Sequence, residues 1–189
     1  EMHAGFGSLR EYCPMNLRVA YKDVPLPDGV VSDLRRLEDI WERARTATAP
    51  QGPWLTGDYS IADVFYAPIA ARIAGYGLPV SDAAQAYVAT HLNDPAFRRW
   101  RAMGFAKGAI LDWYKRDFDQ TDWPGPEPLK AEAIEEGTPE NDACPYSGKP
   151  ITHLGSFNGR IFGFCNAFCR DKTVADAASW PAFMKLYDS

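Results

Sequence analysis

Thr56-Gly57-Asp58-Tyr59-Ser60-Ile61-Ala62-Asp63-Val64-Phe65-Tyr66-Ala67-Pro68-Ile69-Ala70-Ala71-Arg72-Ile73 is the stretch on which the fold turns. It opens with a turn, Gly57-Asp58. It continues with Ser60-x-x-Asp63, the pattern of a reciprocal helix cap. The Ser60 hydroxyl accepts from the backbone N–H of Asp63, and the Asp63 carboxylate reaches back to the N–H of Ser60. Tyr59 before the cap and Val64 after it are placed to form the accompanying hydrophobic staple. The helix that follows is apolar on nearly every side, through Ile61, Val64, Phe65, Tyr66, Ile69, Ala70 and Ile73. Such a helix is expected at the buried centre of a bundle. It is too short and too interrupted to span a membrane.

Helical periodicity extends on both sides. Met2, Phe6, Leu9 and Cys13 fall on one face of a helix expected over 1–13, and Val30, Leu34, Leu37, Trp41 and Ala44 on one face of a helix to about Ala49, capped by Asp28 or Ser32. Ser81 caps a helix from 82 to about 92, and Asn93-Asp94-Pro95 starts another through about Ala106. Ile110, Trp113 and Tyr114 suggest a last short helix. Beyond them the composition changes. Residues 115–142 hold three basic and nine acidic residues, a net −6 against −5 for the whole chain. This Pro-, Gly- and acid-rich segment reads as a linker or wrapping arm that Trp123 can dock. The remaining net charge of about +1 offers no basic stripe for nucleic acid.

The last third has a different chemistry. Asn158-Gly159 between two β-like runs marks a hairpin, and Asn166 caps a helix from about 167 to 175. Cys144, Cys165 and Cys169 cluster here, while Cys13 stands apart as a small apolar residue. Without a secretory pattern, such a cluster with a nearby histidine points to a metal rather than disulfides. Cys165-x-x-x-Cys169 sets two thiolates one helical turn apart. Cys144 in a tight knuckle and His153 on the hairpin complete a tetrahedron of three thiolates and one imidazole, suited to a structural Zn2+. Another metal, or buried thiols without a ligand, are the alternatives. A module this small commonly needs such a staple. His3 and His91 read as surface or helix-end residues, and Asp63 as a cap rather than a general base.

Gly57-x-x-Ser60-x-Ala62-Asp63 resembles the signature that opens the core helix in the helical C-terminal domain of cytosolic glutathione transferases. Glu1–Phe6, Pro14–Arg18 and Pro79–Trp100 resemble a bacterial subgroup, so the likeness covers roughly 1–107. It implies a helical bundle, a thioredoxin-like domain upstream of residue 1, and addition of glutathione to a small electrophile. The activating residue belongs to that upstream domain, and the start at Glu1 suggests a processed or truncated form. Met2 and Phe6 are then the groove residues for the electrophile, with Tyr12, Tyr66 and Tyr76 nearby, although the same rings suit a helix–helix core. Residues 143–189 resemble YHS/TRASH-like treble-clef metal domains through Cys144-Pro145-x-x-Gly148, Gly159-x-x-Phe162-x-Phe164-Cys165-x-x-x-Cys169 and Trp180-Pro181-x-Phe183. Those domains often carry a second cysteine where this chain has Ser147. Either His153 replaces it or the site is lost.

The expected architecture is therefore mainly α. A glutathione-transferase-like helical domain covers 1–116, an acidic linker 117–142, and a small treble-clef-like ββα zinc module 143–189. The protein is expected to be cytoplasmic, with no membrane or nucleic-acid partner and with homodimerisation open. A scaffold without catalysis, and a metal sensor or carrier, are the competing functions.

Overall fold

The computed structural model describes residues 2, 4–49, 51–109 and 111–189. They form α1 (Gly7–Tyr12), β1 (Ala20–Tyr21), α2 (Asp28–Thr48), α3 (Ile61–Gly75), α4 (Asp82–Asn93), α5 (Pro95–Lys107), β2 (Gln120–Thr121), β3 (Ala131–Ile134), β4 (His153–Phe157), β5 (Arg160–Phe164), α6 (Ala167–Ala175) and α7 (Pro181–Tyr187). Short 3-10 turns lie at Asp112–Tyr114 and Ala177–Ser179. No described helix is long and apolar enough to cross a membrane.

The chain divides into two compact units. The first comprises 1–94 and 110–125, the second 95–109 and 126–189. In the first, Leu9, Val30, Leu34, Leu37, Trp41, Ile69, Ile73 and Tyr87 are buried. The reciprocal cap forms as its chemistry dictates: Ser60 and Asp63 satisfy each other's backbone N–H. Asp63 is wholly buried and also accepts from Leu55 N (3.2 Å), the Ser60 hydroxyl (2.9 Å) and the Tyr87 hydroxyl (2.7 Å). That network fixes α3 against α4, since four donors converge on one carboxylate inside the core.

Several expectations are revised. The helix expected over 1–13 begins only at Gly7, because Phe6 takes a left-handed backbone at φ 56° that interrupts it; residues 1 and 3 lie outside the described set. The N-cap of α2 is Pro27, with no side-chain cap. The central helix is not buried all round: Ile61, Val64 and Phe65 are exposed on its first turns, Ile61 to 70%. Tyr59 is exposed too and meets Trp54 edge-on at 4.8 Å. His91 sits in the last turn of α4, as a helix-end residue, but is buried. Trp113 and Tyr114 fall in the 3-10 turn, while Ile110 lies outside the described residues.

The acidic segment does more than link. β2 pairs antiparallel with β1 in the first unit, Ala20 opposite Thr121. Trp123 docks on the same unit, close to Gly75 of α3. β3 pairs with β4 in the second unit, making a three-stranded antiparallel sheet of order β3-β4-β5. The hairpin turn is Asn158-Gly159, both at positive φ, as its two-residue length requires. Phe157, Phe162, Phe164 and Phe183 are fully buried between this sheet and α7. α5 belongs with this unit, not with the bundle where the sequence placed it, because it packs on α6. The small module is thus larger than ββα, with an aromatic core of its own.

Candidate metal centre

Three elements of the second unit deliver the cysteines. Cys144 starts a tight turn in which Gly148 N–H donates to the Cys144 carbonyl (2.9 Å) and Cys144 N–H to the Lys149 carbonyl (3.0 Å). Gly148 closes the turn at φ 66°, a conformation that suits a residue without Cβ. The buried Asn141 amide fastens this turn to β5, accepting from Gly163 N (2.7 Å) and donating to the carbonyls of Gly163 and Ala143 (3.0 and 2.7 Å). Cys165 follows directly on β5. Asn166 caps α6 by accepting from Cys169 N at 2.8 Å, which sets Cys169 in the first helical turn.

The three sulfurs lie within 4.8 Å of one another, with Cys165 and Cys169 at 4.0 Å. Thiolates around a tetrahedral Zn2+ stand about 3.8 Å apart, given Zn–S bonds near ~2.3 Å. The donor set and spacing therefore fit a thiophilic metal ion. Cys144 is buried and the other two half-buried. None is in a disulfide.

Polar groups surround the sulfurs. The Ser147 hydroxyl and the Asn166 side-chain amide each donate to Cys165 Sγ at 3.3 Å. Ser147 thus points at the centre as a hydrogen-bond donor. Burial pushes the Cys144 thiol up. The peptide N–H groups of Tyr146 and Cys165, the Ser147 hydroxyl and the Cys165 thiol outweigh it and bring Cys144 down to about 7. Burial pushes Cys169 up to about 11, and the neighbouring Cys144 and Cys165 add to that. The donors around the group favour a thiolate form, and a cation between the three sulfurs would draw off their protons.

His153 is not brought into this group. Of the expected three cysteines and a histidine, the group unites the three cysteines; His153 lies at the start of β4, and its Nδ1 shares a hydrogen bond with the Thr152 hydroxyl at 2.9 Å. That hydroxyl also lies 2.9 Å from the Cys165 carbonyl, to which it donates. Phe6 is 5% exposed and packs as core, as do Tyr66 and Tyr76, while Met2 is half-buried. Burial raises the Tyr76 hydroxyl far above its usual range, and that hydroxyl donates to the Pro14 carbonyl at 2.8 Å. Cys13 is buried, its thiol raised to about 11 by desolvation against the opposing charges of Arg72 and Arg116.

Sequence reasoning missed Lys172, which is buried beside Tyr146 and Trp180. Its position three residues after Cys169 was the available signal. Comparisons of the chain with known protein families, with curated proteins and with solved structures find no match.

Proposed function

We propose that this is a metal-binding protein whose second unit holds a thiophilic ion, zinc in the first instance, through Cys144, Cys165 and Cys169. The observation that carries the reading is the convergence of three thiols from three separate elements, with hydrogen-bond donors aimed at their sulfurs. Two or three thiols that met by chance in a core would not have Ser147, Asn166 and backbone N–H groups arranged to favour the thiolate. Three protein ligands leave a fourth position for a small external ligand. That arrangement suits exchange of the ion better than a closed four-ligand staple does. The reading therefore leans to a sensor or carrier over a purely structural zinc site, with a reducing compartment such as the cytoplasm keeping the thiols free.

Titration of the reduced protein with Co2+ tests it. One equivalent should bind with thiolate-to-cobalt charge-transfer absorption, Zn2+ should displace it, and Cys144→Ser should abolish the signal. Absence of the band in folded, fully reduced protein would refute the reading.

A second reading concerns the first unit. The formed Ser60–Asp63 cap favours kinship with the helical domain of glutathione transferases. Under that reading the unit works with an upstream thioredoxin-like domain to join glutathione to a small electrophile, and the metal centre is an appendage. Phe6 would have to be uncovered from the core to line the electrophile groove beside Met2. Conjugation of glutathione to an aromatic halide, assayed on a chain carrying the upstream domain, decides it; no activity above the uncatalysed rate removes the reading.

A further inference from the structure

Lys172 is 9% exposed, an uncommon place for an ammonium. It leaves α6 three residues after Cys169, on the same face of the helix. Its Nζ lies 3.7 Å from the centre of the Tyr146 ring, 3.8 Å from that of Trp180 and 5.8 Å from that of Phe168. Two of these rings are pinned. The Tyr146 hydroxyl bonds Thr173 Oγ1 at 2.6 Å, and Trp180 Nε1–H donates to the Lys172 carbonyl at 3.0 Å. Among the described residues no carboxylate pairs with this ammonium. Ring faces offset only part of the cost of burying a cation, so an anion is wanted nearby. The cysteine group is placed to provide it when ionised: Cys169 is one turn back on the same helix, and Cys144 is two residues before Tyr146, whose ring Nζ faces. Burial lowers the basicity of Lys172, while Cys169, Cys144 and Cys165 each raise it through charge.

We propose that Lys172 is the fixed counter-charge of the three-thiolate centre, and that it makes the centre discriminate between ions by charge. It shifts the preference toward a monovalent thiophilic ion and away from a divalent one. This rests on the metal reading above. A neighbouring cation has two effects on ion binding. It favours the thiolate forms, and this benefit is the same whichever ion binds. It also repels the bound ion, and this penalty doubles from a monovalent to a divalent ion. Absolute affinities mix the two effects, but the ratio of affinities isolates the second. A neutral residue at 172 should therefore raise the Zn2+ to Cu+ affinity ratio, by about tenfold for one extra unit of charge repelled across several ångströms of protein.

The test compares the reduced chain with Lys172→Met and Lys172→Arg, measuring Cu+ and Zn2+ affinities against competing chelators and the fold by circular dichroism. The expected result is a ratio raised about tenfold in K172M and returned to within about threefold of the parent in K172R. A folded K172M with the parent's ratio, in a protein that binds both ions, overturns the role of Lys172 and leaves the metal reading standing. A parent chain that binds neither ion overturns both. Should K172M fail to fold, the unaltered metal-free protein decides. Alkylation of Cys165 and Cys169 by iodoacetate relative to iodoacetamide, followed by peptide mass, should exceed the ratio for the uncharged thiol 2-mercaptoethanol several-fold, since a fixed cation attracts the anionic reagent. A ratio equal to or below that of 2-mercaptoethanol overturns the proposal.

Discussion

Arg98 grips Asp176 with two parallel hydrogen bonds, Nε to Oδ2 at 2.7 Å and Nη2 to Oδ1 at 2.6 Å. The pair joins α5 to the residue that ends α6, and both side chains are largely buried. Removing the guanidinium leaves a carboxylate without its partner in a poorly solvated place. Arg98→Ala should cost about 3 kcal/mol of second-unit stability, and Arg98→Lys should recover only part, since an ammonium cannot match the fork. Chemical denaturation followed by tryptophan fluorescence reads the loss; a change below about 0.5 kcal/mol would show that α5 does not depend on the pair.

The Asp63 network predicts a hierarchy in the first unit. Ser60→Ala removes a cap and should cost about 1 kcal/mol. Asp63→Ala strips the acceptor from Leu55 N–H and the Tyr87 hydroxyl in the core and should cost about 4 kcal/mol. Tyr87→Phe should fall between. Thermal unfolding of the three variants checks the order, and equal costs for Ser60 and Asp63 would contradict the convergence of donors on Asp63.

His91 gives the first unit an acid sensitivity. Burial lowers its pKa to about 4 from an ordinary 6.5, despite the raising influence of Asp63 and Asp94. Above pH 6.5 the ring is neutral whether the chain is folded or not, and its contribution to stability is complete. Between 6.5 and 4 only the unfolded chain takes the proton, so stability falls with pH, by up to about 3 kcal/mol in all. Denaturant midpoints measured from pH 8 to 4 should decline across that window. His91→Gln should show a shallower decline; an identical slope would place the sensitivity elsewhere.

The ligand set separates His153 from the cysteines. Replacing Cys144, Cys165 or Cys169 by Ser should abolish stoichiometric metal binding. His153→Ala should leave the stoichiometry unchanged and the affinity within about threefold, because its ring lies outside the thiol group. Loss of the metal in His153→Ala would restore the histidine as fourth ligand. Stripping the metal should lower the stability of the second unit without unfolding it. A free ion at 100 times its dissociation constant contributes about 2.7 kcal/mol, and the four-phenylalanine core does not depend on it.

Local signals were legible, and for physical reasons. The caps at Ser60, Ser81 and Asn166, the proline that opens α5 and the Asn158-Gly159 turn each depend on residues within a few positions of one another. The three cysteines could be grouped from spacing because thiols rarely cluster otherwise. Partnerships over long separations could not be read. Gln120–Thr121 and Ala131–Ile134 carry no alternating pattern, and they become strands only because β1 and β4 offer them an edge. The assignment of α5 was hidden for the same reason, since Asp176 is 78 residues from Arg98. The surroundings of His153 could not be read either, because residue type and spacing say nothing of the Thr152 hydroxyl that engages its ring.

The chain leaves the first unit twice and the second once. It builds most of the bundle, crosses to lay down α5, returns to add β2 and Trp123, and crosses again to finish the sheet and last helices. Neither half can therefore be excised at a single point. A protease cutting between β2 and β3 would separate α5 in covalent terms from α6, yet α5 would stay packed on it. The nicked protein should migrate as one particle on a sizing column and as two bands once denatured. The same threading means that α5 leaves the ribosome well before Asp176 exists, so the second unit can close only after α6 and Asp176 have been made.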